Sequence, residues 1–221
     1  MSRTGRGVRT AMASAAMLPS LIAASVTVLL PLFRDVLVAA TPPAISPSQD
    51  FSNPILQVHA PASSGWHGIA QSADRIAFAK SGSNADESFV AAVFLFHIPL
   101  FPTSDAFTEY VRQGVNKDSP ADRFETIESN VQYSSEREYP CVRYHGISND
   151  RKARTSGLFK QALRIENIAL YCQHPSRPGL GFSISFSHRG GSADEKMDTE
   201  AAAFIESVQA TPPDNSHSPK D

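Results

Sequence analysis

Seven histidines have the widest chemical reach in this chain: His59, His67, His97, His145, His174, His188 and His217. A neutral imidazole can ligate a transition metal, and one that titrates near neutrality can move protons. Locally built metal sites show paired spacing, yet none of the seven forms a His-x-His or His-x-x-x-His pair. A site would need convergence from separate strands, and the spacing alone favours scattered surface and strand histidines. The candidates for a convergent acid–base site are His97, inside a strongly apolar segment, and His145, with an acid such as Glu136. A core histidine with satisfied hydrogen bonds is the plainer reading of His97. The chain contains no Gly-x-Ser-x-Gly elbow, His-Glu-x-x-His pair, Walker loop or Gly-x-Gly-x-x-Gly turn. No catalytic, cofactor-binding or metal-ligating residue is assigned, and no cofactor is expected.

Two basic features raise the question of an anionic partner. Arg151-Lys152-Ala153-Arg154, with Lys160 nearby, is the densest cationic patch. A solvated hairpin tip accounts for it, because a few exposed charges bind weakly and are screened by salt. Arg189-Gly190-Gly191-Ser192 could turn backbone N–H groups toward an anion, but a flexible strand-to-helix turn uses the same residues. Trp66, the single tryptophan, reads as a core anchor. The two cysteines, Cys141 and Cys172, form an even pair and are expected to be a disulfide. Closing a loop of about 30 residues stabilises by roughly 3–4 kcal/mol on the chain-entropy model.

That disulfide needs an oxidising compartment, and the N-terminus supplies the route. Arg3, Arg6 and Arg9 precede an uncharged run from Ala11 to Phe33, the n-region and h-region of an export signal. The run is 23 residues long, enough to span a bilayer core of about 30 Å. Residues 1–40 are therefore a signal peptide cut after Val38-Ala39-Ala40, or a single anchor with its arginines in the cytoplasm. With no cysteine in this segment and no twin-arginine pair, neither a lipoprotein nor a twin-arginine signal fits. The rest carries 16 basic and 21 acidic residues. A mildly acidic domain is a poor nucleic-acid binder, since phosphates reward dense Lys and Arg.

The elements that must position these residues are mostly strands. Residues 41–64 read as a Pro/Ser-rich spacer, 65–210 as one globular domain and 211–221 as a disordered tail. Within the domain, Arg75–Ala79 alternates, while Ser88–Ile98 is apolar on both parities and reads as a central strand. Phe124–Ser134 is more polar and sits nearer an edge. Tyr139–Ser148 and Gln161–Cys172 flank a loop and predict a hairpin. Leu180–Ser187 alternates most cleanly, with Phe182, Ile184 and Phe186 inward and serines outward. Ser104-Asp105 is expected to cap a helix whose face is Phe107, Tyr110, Val111 and Val115. Ser192 and Glu195 read as a capping box before Met197, Ala201, Phe204, Ile205 and Val208. The order β-β-α-β-β-β-β-α predicts an α+β domain, an antiparallel sheet with helices packed on it. An all-β sandwich or barrel is the alternative.

Gly65-Trp66, the strand pair up to Ile98, the helix at Ser104, the later hairpin and the closing helix resemble in order the PsbP-like alpha-beta sandwich domains. The likeness covers about residues 65–209. It implies a fold but no activity, since such domains range from photosystem subunits to nuclear transport factors and bacterial envelope proteins. Glu136-Arg-Glu-Tyr-Pro-Cys141-Val-Arg-Tyr144, Ala169-Leu-Tyr-Cys172 and His188-Arg-Gly-Gly-Ser192 are similar to segments of uncharacterised exported bacterial proteins. That likeness implies a compartment: periplasmic or extracellular, with a single-span tether if the N-terminal helix is retained. The expected function is a non-enzymatic binding or accessory domain for another envelope component. An envelope enzyme with a convergent site, or a small-molecule carrier, is the alternative.

Overall fold

A computed structural model describes residues 42–53, 55–157 and 161–211. The N-terminal segment 1–40, expected to be an export signal or anchor, and the tail from 212 onward lie outside the described residues.

Short links between alternating segments fold into an antiparallel sheet of seven strands. They are β3 (His67–Gln71), β4 (Arg75–Ser81), β5 (Ser88–His97), β6 (Phe124–Ser134), β7 (Cys141–Asp150), β8 (Leu163–Gln173) and β9 (Leu180–Gly190). Their order across the sheet is β3-β4-β5-β9-β8-β7-β6. The apolar segment at Ser88 is interior, and the polar one at Phe124 is an edge, as hydropathy predicts. Two helices, α1 (Ser104–Asp118) and α2 (Met197–Ser207), pack on the sheet.

Alternation sorts the core into two halves. Phe89, Ala91 and Val93 of β5, Phe182, Ile184 and Phe186 of β9, and Ile168 and Leu170 of β8 point to one face. There Met197, Ala201, Phe204 and Ile205 of α2 cover them. Val142, Tyr144, Ala169 and Tyr171 point to the other face, under Phe107, Val111 and Val115 of α1. Burying side chains such as Phe186 or Phe107 is worth about 1.5–3 kcal/mol each.

Four local expectations are corrected. Residues 41–64 are not a spacer where described. β1 (Asp50–Ser52) and β2 (Leu56–His59) pair with β10 (Gln209–Ala210) in a small second sheet. Its Leu56 and Val58 are buried in the core beside Trp66 and Val208. Few apolar residues suffice when each lands on a large existing core. Helix α1 is capped one residue early, by Thr103 accepting from the Ala106 N–H at 3.1 Å. Helix α2 has no capping box: it starts after Lys196 with no side-chain cap, five residues beyond Ser192. Finally, two of the three outward-expected serines of β9 do not face water. Ser183 and Ser187 are buried, and the Ser187 hydroxyl donates to the Val90 carbonyl at 3.5 Å.

Candidate functional site

Helix α2 and the small sheet cover one face mainly over β5, β9 and β8. Toward the β6 edge the same face carries charged groups, and His145 is at their centre. β7 alternation points Arg143 and His145 to this face, as register places them opposite Leu170 and Ile168. The His145 Nε2 lies 2.9 Å from a Glu166 oxygen and its Nδ1 3.2 Å from Glu128. The other Glu166 oxygen accepts from Arg164 at 3.0 Å. Burial pushes the Glu166 carboxyl up, but the hydrogen bonds from His145 and Arg164 outweigh it and hold it below the usual range.

Glu136, the acid expected to serve His145, is not its partner. It accepts a bidentate bond from Arg143, at 2.7 Å to both nitrogens. His97, expected in the core, is exposed at the end of β5 because the strand outruns its cover there. Among the described residues two histidines are buried: His174, whose Nε2 lies 3.2 Å from Ile55 O, and His188, only 1 % exposed and stacked on Phe89. The His188 Nε2 lies 3.1 Å from Glu87, while its Nδ1 has no hydrogen-bond partner. No spacing in the sequence separates His188 from His97. Each follows core residues of one parity, His188 after Phe182, Ile184 and Phe186 and His97 after Phe89, Ala91 and Val93, so parity does not separate them either.

A second ion pair anchors the hairpin base. Asp150, fully buried, accepts from the Arg123 Nε at 3.0 Å and Nη2 at 2.7 Å. Burial pushes its carboxyl up, yet the Arg123 guanidinium holds it below the ordinary value. The basic hairpin tip is tied to acids and carbonyls: Lys152 meets Asp122 at 2.5 Å, and Arg151 donates to Ala121 O at 2.7 Å. Arg189 and Gly190 belong to β9, so they do not cradle an anion at the start of α2. At the C-terminal end of α1, burial pushes the Asp118 carboxyl up to about 7, only partly offset by Lys117. Burial raises the Tyr144 and Tyr171 phenols, and the Asp118 charge adds to both.

A half-open cavity of about 290 Å³ lies between the small sheet and α2, lined by Ser48, His59, Ala60, Pro61, Ala203 and Phe204 among others. The His59 Nδ1 pairs with Asp50 across β1 and β2. No hydrogen bond joins Ser48 to His59, so these three residues are not linked as a nucleophile–base–acid chain. Among the described residues, no group of three or more His, Cys, Asp or Glu side chains is placed to hold a metal ion.

Cys141 and Cys172 are joined in a disulfide across β7 and β8, a bond that oxidising compartments preserve. Among the described residues no helix is long and apolar enough to cross a membrane.

No family model matches the chain. No curated protein matches it either. Among solved structures, it is similar to the Ran-binding protein Mog1p of Saccharomyces cerevisiae. Identity is 10% over 70% of this chain and 89% of that one, with a TM-score of 0.34. A protein of Bacteroides thetaiotaomicron shares 9% identity over 72% of this chain and 46% of that one, with a TM-score of 0.29. At these scores neither likeness carries a functional argument.

Proposed function

We propose that this chain is an exported cell-envelope protein whose domain is non-enzymatic and binds or supports another envelope component. The observation that carries this reading is how its chemically capable side chains are used. Both nitrogens of His145 face carboxylates, Glu136 is committed to Arg143, and Asp150 to Arg123. The bare Nδ1 of His188 is buried, out of reach of a substrate. Groups paired in this way hold strands to one another, a structural use that supports the non-enzymatic reading.

The disulfide supports a periplasmic or extracellular location, with the N-terminal segment as cleaved signal or retained tether. Helices on opposite faces of the sheet support an alpha-beta sandwich of the PsbP-like kind. Affinity capture from native membranes tests the binding reading and should return one envelope component in stoichiometric amount. Purified protein equilibrated with divalent metals, and screened with generic hydrolase substrates, should show neither stoichiometric metal nor turnover. Either result would overturn the reading.

The cavity beside α2 favours one alternative, a small-molecule carrier, because its lining is largely apolar and its volume approaches that of ligand pockets. Native mass spectrometry of the protein from its own cells would then reveal a co-purifying small molecule.

A further inference from the structure

The two edges of the seven-stranded sheet are treated differently. β3 is short, carries a register shift between Gly68 and Ala70, and is covered by residues 43–45. That cover consists of the Gly68 N–H donating to Pro43 O at 3.0 Å and the Ala44–His67 bridge. β6 is 11 residues long, and most of it is exposed. Its irregularity, between Thr126 and Glu128, and its two acids, Glu125 and Glu128, all lie in its first half. Ser129-Asn130-Val131-Gln132-Tyr133 has no charge, proline or bulge, the usual protections of an edge. Ile127 and Tyr133 are 57 % and 46 % exposed.

The ladder shows which backbone groups of this stretch are unpaired. The Gln173 N–H donates to Pro140 O at 3.0 Å, so residues 140 and 173 are a hydrogen-bonded pair. Such pairs alternate, so Val142, Tyr144 and Gly146 turn their backbone groups to β8. Their partners on the other side, Tyr133, Val131 and Ser129, then turn N–H and C=O away from the sheet. Arg112 of α1, which pairs with Glu109, reaches this row and donates to Val131 O at 3.4 Å.

We propose that the Ser129–Tyr133 edge of β6 is a self-association site, where a second copy of this chain adds its own β6 antiparallel about Val131, and that Arg112 restrains the pairing. In this register Val131 faces Val131 of the second copy and Ser129 faces Tyr133, forming about six backbone hydrogen bonds. The charges are compatible: Ser129–Tyr133 carries none, and Glu128 falls opposite Ser134, so no acid meets an acid within the paired stretch. The seam buries a small area, so the dimer is weak and forms reversibly. Arg112 must release the Val131 carbonyl for the second strand to dock.

Sedimentation of the protein as isolated from exporting cells, over a wide concentration range, tests this. The wild type should show a reversible monomer–dimer equilibrium, with slowed hydrogen exchange at the Ser129, Val131 and Tyr133 amides in the dimer. Arg112→Ala should tighten dimerisation several-fold. Val131→Pro should abolish it, since that N–H makes no bond within the monomer. Because proline can strain the strand, a charge swap provides a second arm. Ser129→Lys with Tyr133→Lys sets lysines opposite one another and should weaken dimerisation at least tenfold, whereas Ser129→Glu with Tyr133→Lys should restore it. A strictly monomeric wild type and Arg112→Ala variant would overturn the proposal. So would a dimer indifferent to the charge swap, or edge amides protected only by a different protein.

Discussion

Cys141 stands directly across from Cys172, with Cα atoms 4.1 Å apart. The neighbouring pair 140 and 173 is hydrogen-bonded, so the cysteines occupy a position where facing side chains approach closely. Thiol titration of the denatured, unreduced protein should therefore find no free cysteine among these two. Replacing both by alanine should cost about 3 kcal/mol, read as a lower midpoint in urea.

Asp150 and Arg123 give a pH dependence of known sign. The carboxyl titrates below its ordinary value of 3.8 when folded. Its contribution is therefore fully present above the unfolded value and is lost as pH falls through the lower, folded one. Arg123→Ala, which leaves the buried charge unpaired, should cost about 3–5 kcal/mol at neutral pH. The gap between variant and wild type should narrow below pH 4 in urea titrations.

Asp118 carries the opposite sign. Burial raises its carboxyl from 3.8 to about 7, so the folded state keeps its proton longer than the unfolded chain does. Stability associated with this group falls as pH rises from 3.8 toward 7 and then stays level. Asp118→Asn should gain about 1–2 kcal/mol at pH 8, allowing for partial exposure to solvent. At pH 4 it should gain nothing. Denaturation curves at the two pH values measure the difference.

Leu56, fully buried on β2, tests whether residues 42–64 belong to the domain. Leu56→Ala should cost about 2–5 kcal/mol. Trp66 reports the same junction, being 1 % exposed with its Nε1 donating to Ser63 Oγ at 3.0 Å. Its fluorescence should be shielded from iodide in the folded protein and should become accessible when the strand segment is removed.

Much of the fold was legible because it rests on local periodicity. The alternation of Phe182, Ile184 and Phe186, and the helical spacing of Phe107, Val111 and Val115, place each residue on the face it occupies. β1 and β2 were missed because their pattern is short and sits among prolines; only two buried side chains on an existing core make them strands. The capping box failed because Ser192-x-x-Glu195 is a local signal, and the chain begins α2 only at Met197.

The sequence by itself determined the periodic elements, the mildly acidic charge and the cysteine pair, because each depends on neighbours or on composition. Tertiary structure decided which acid meets which base. His145 is nearer in sequence to Glu136 than to Glu128 or Glu166, yet it bonds the latter two. Strand register sets those partners: β6, β7 and β8 slide the three side chains together on one face, and Glu136 is left to Arg143. Register comes from the packing of whole strands, so no spacing within one segment could have specified it.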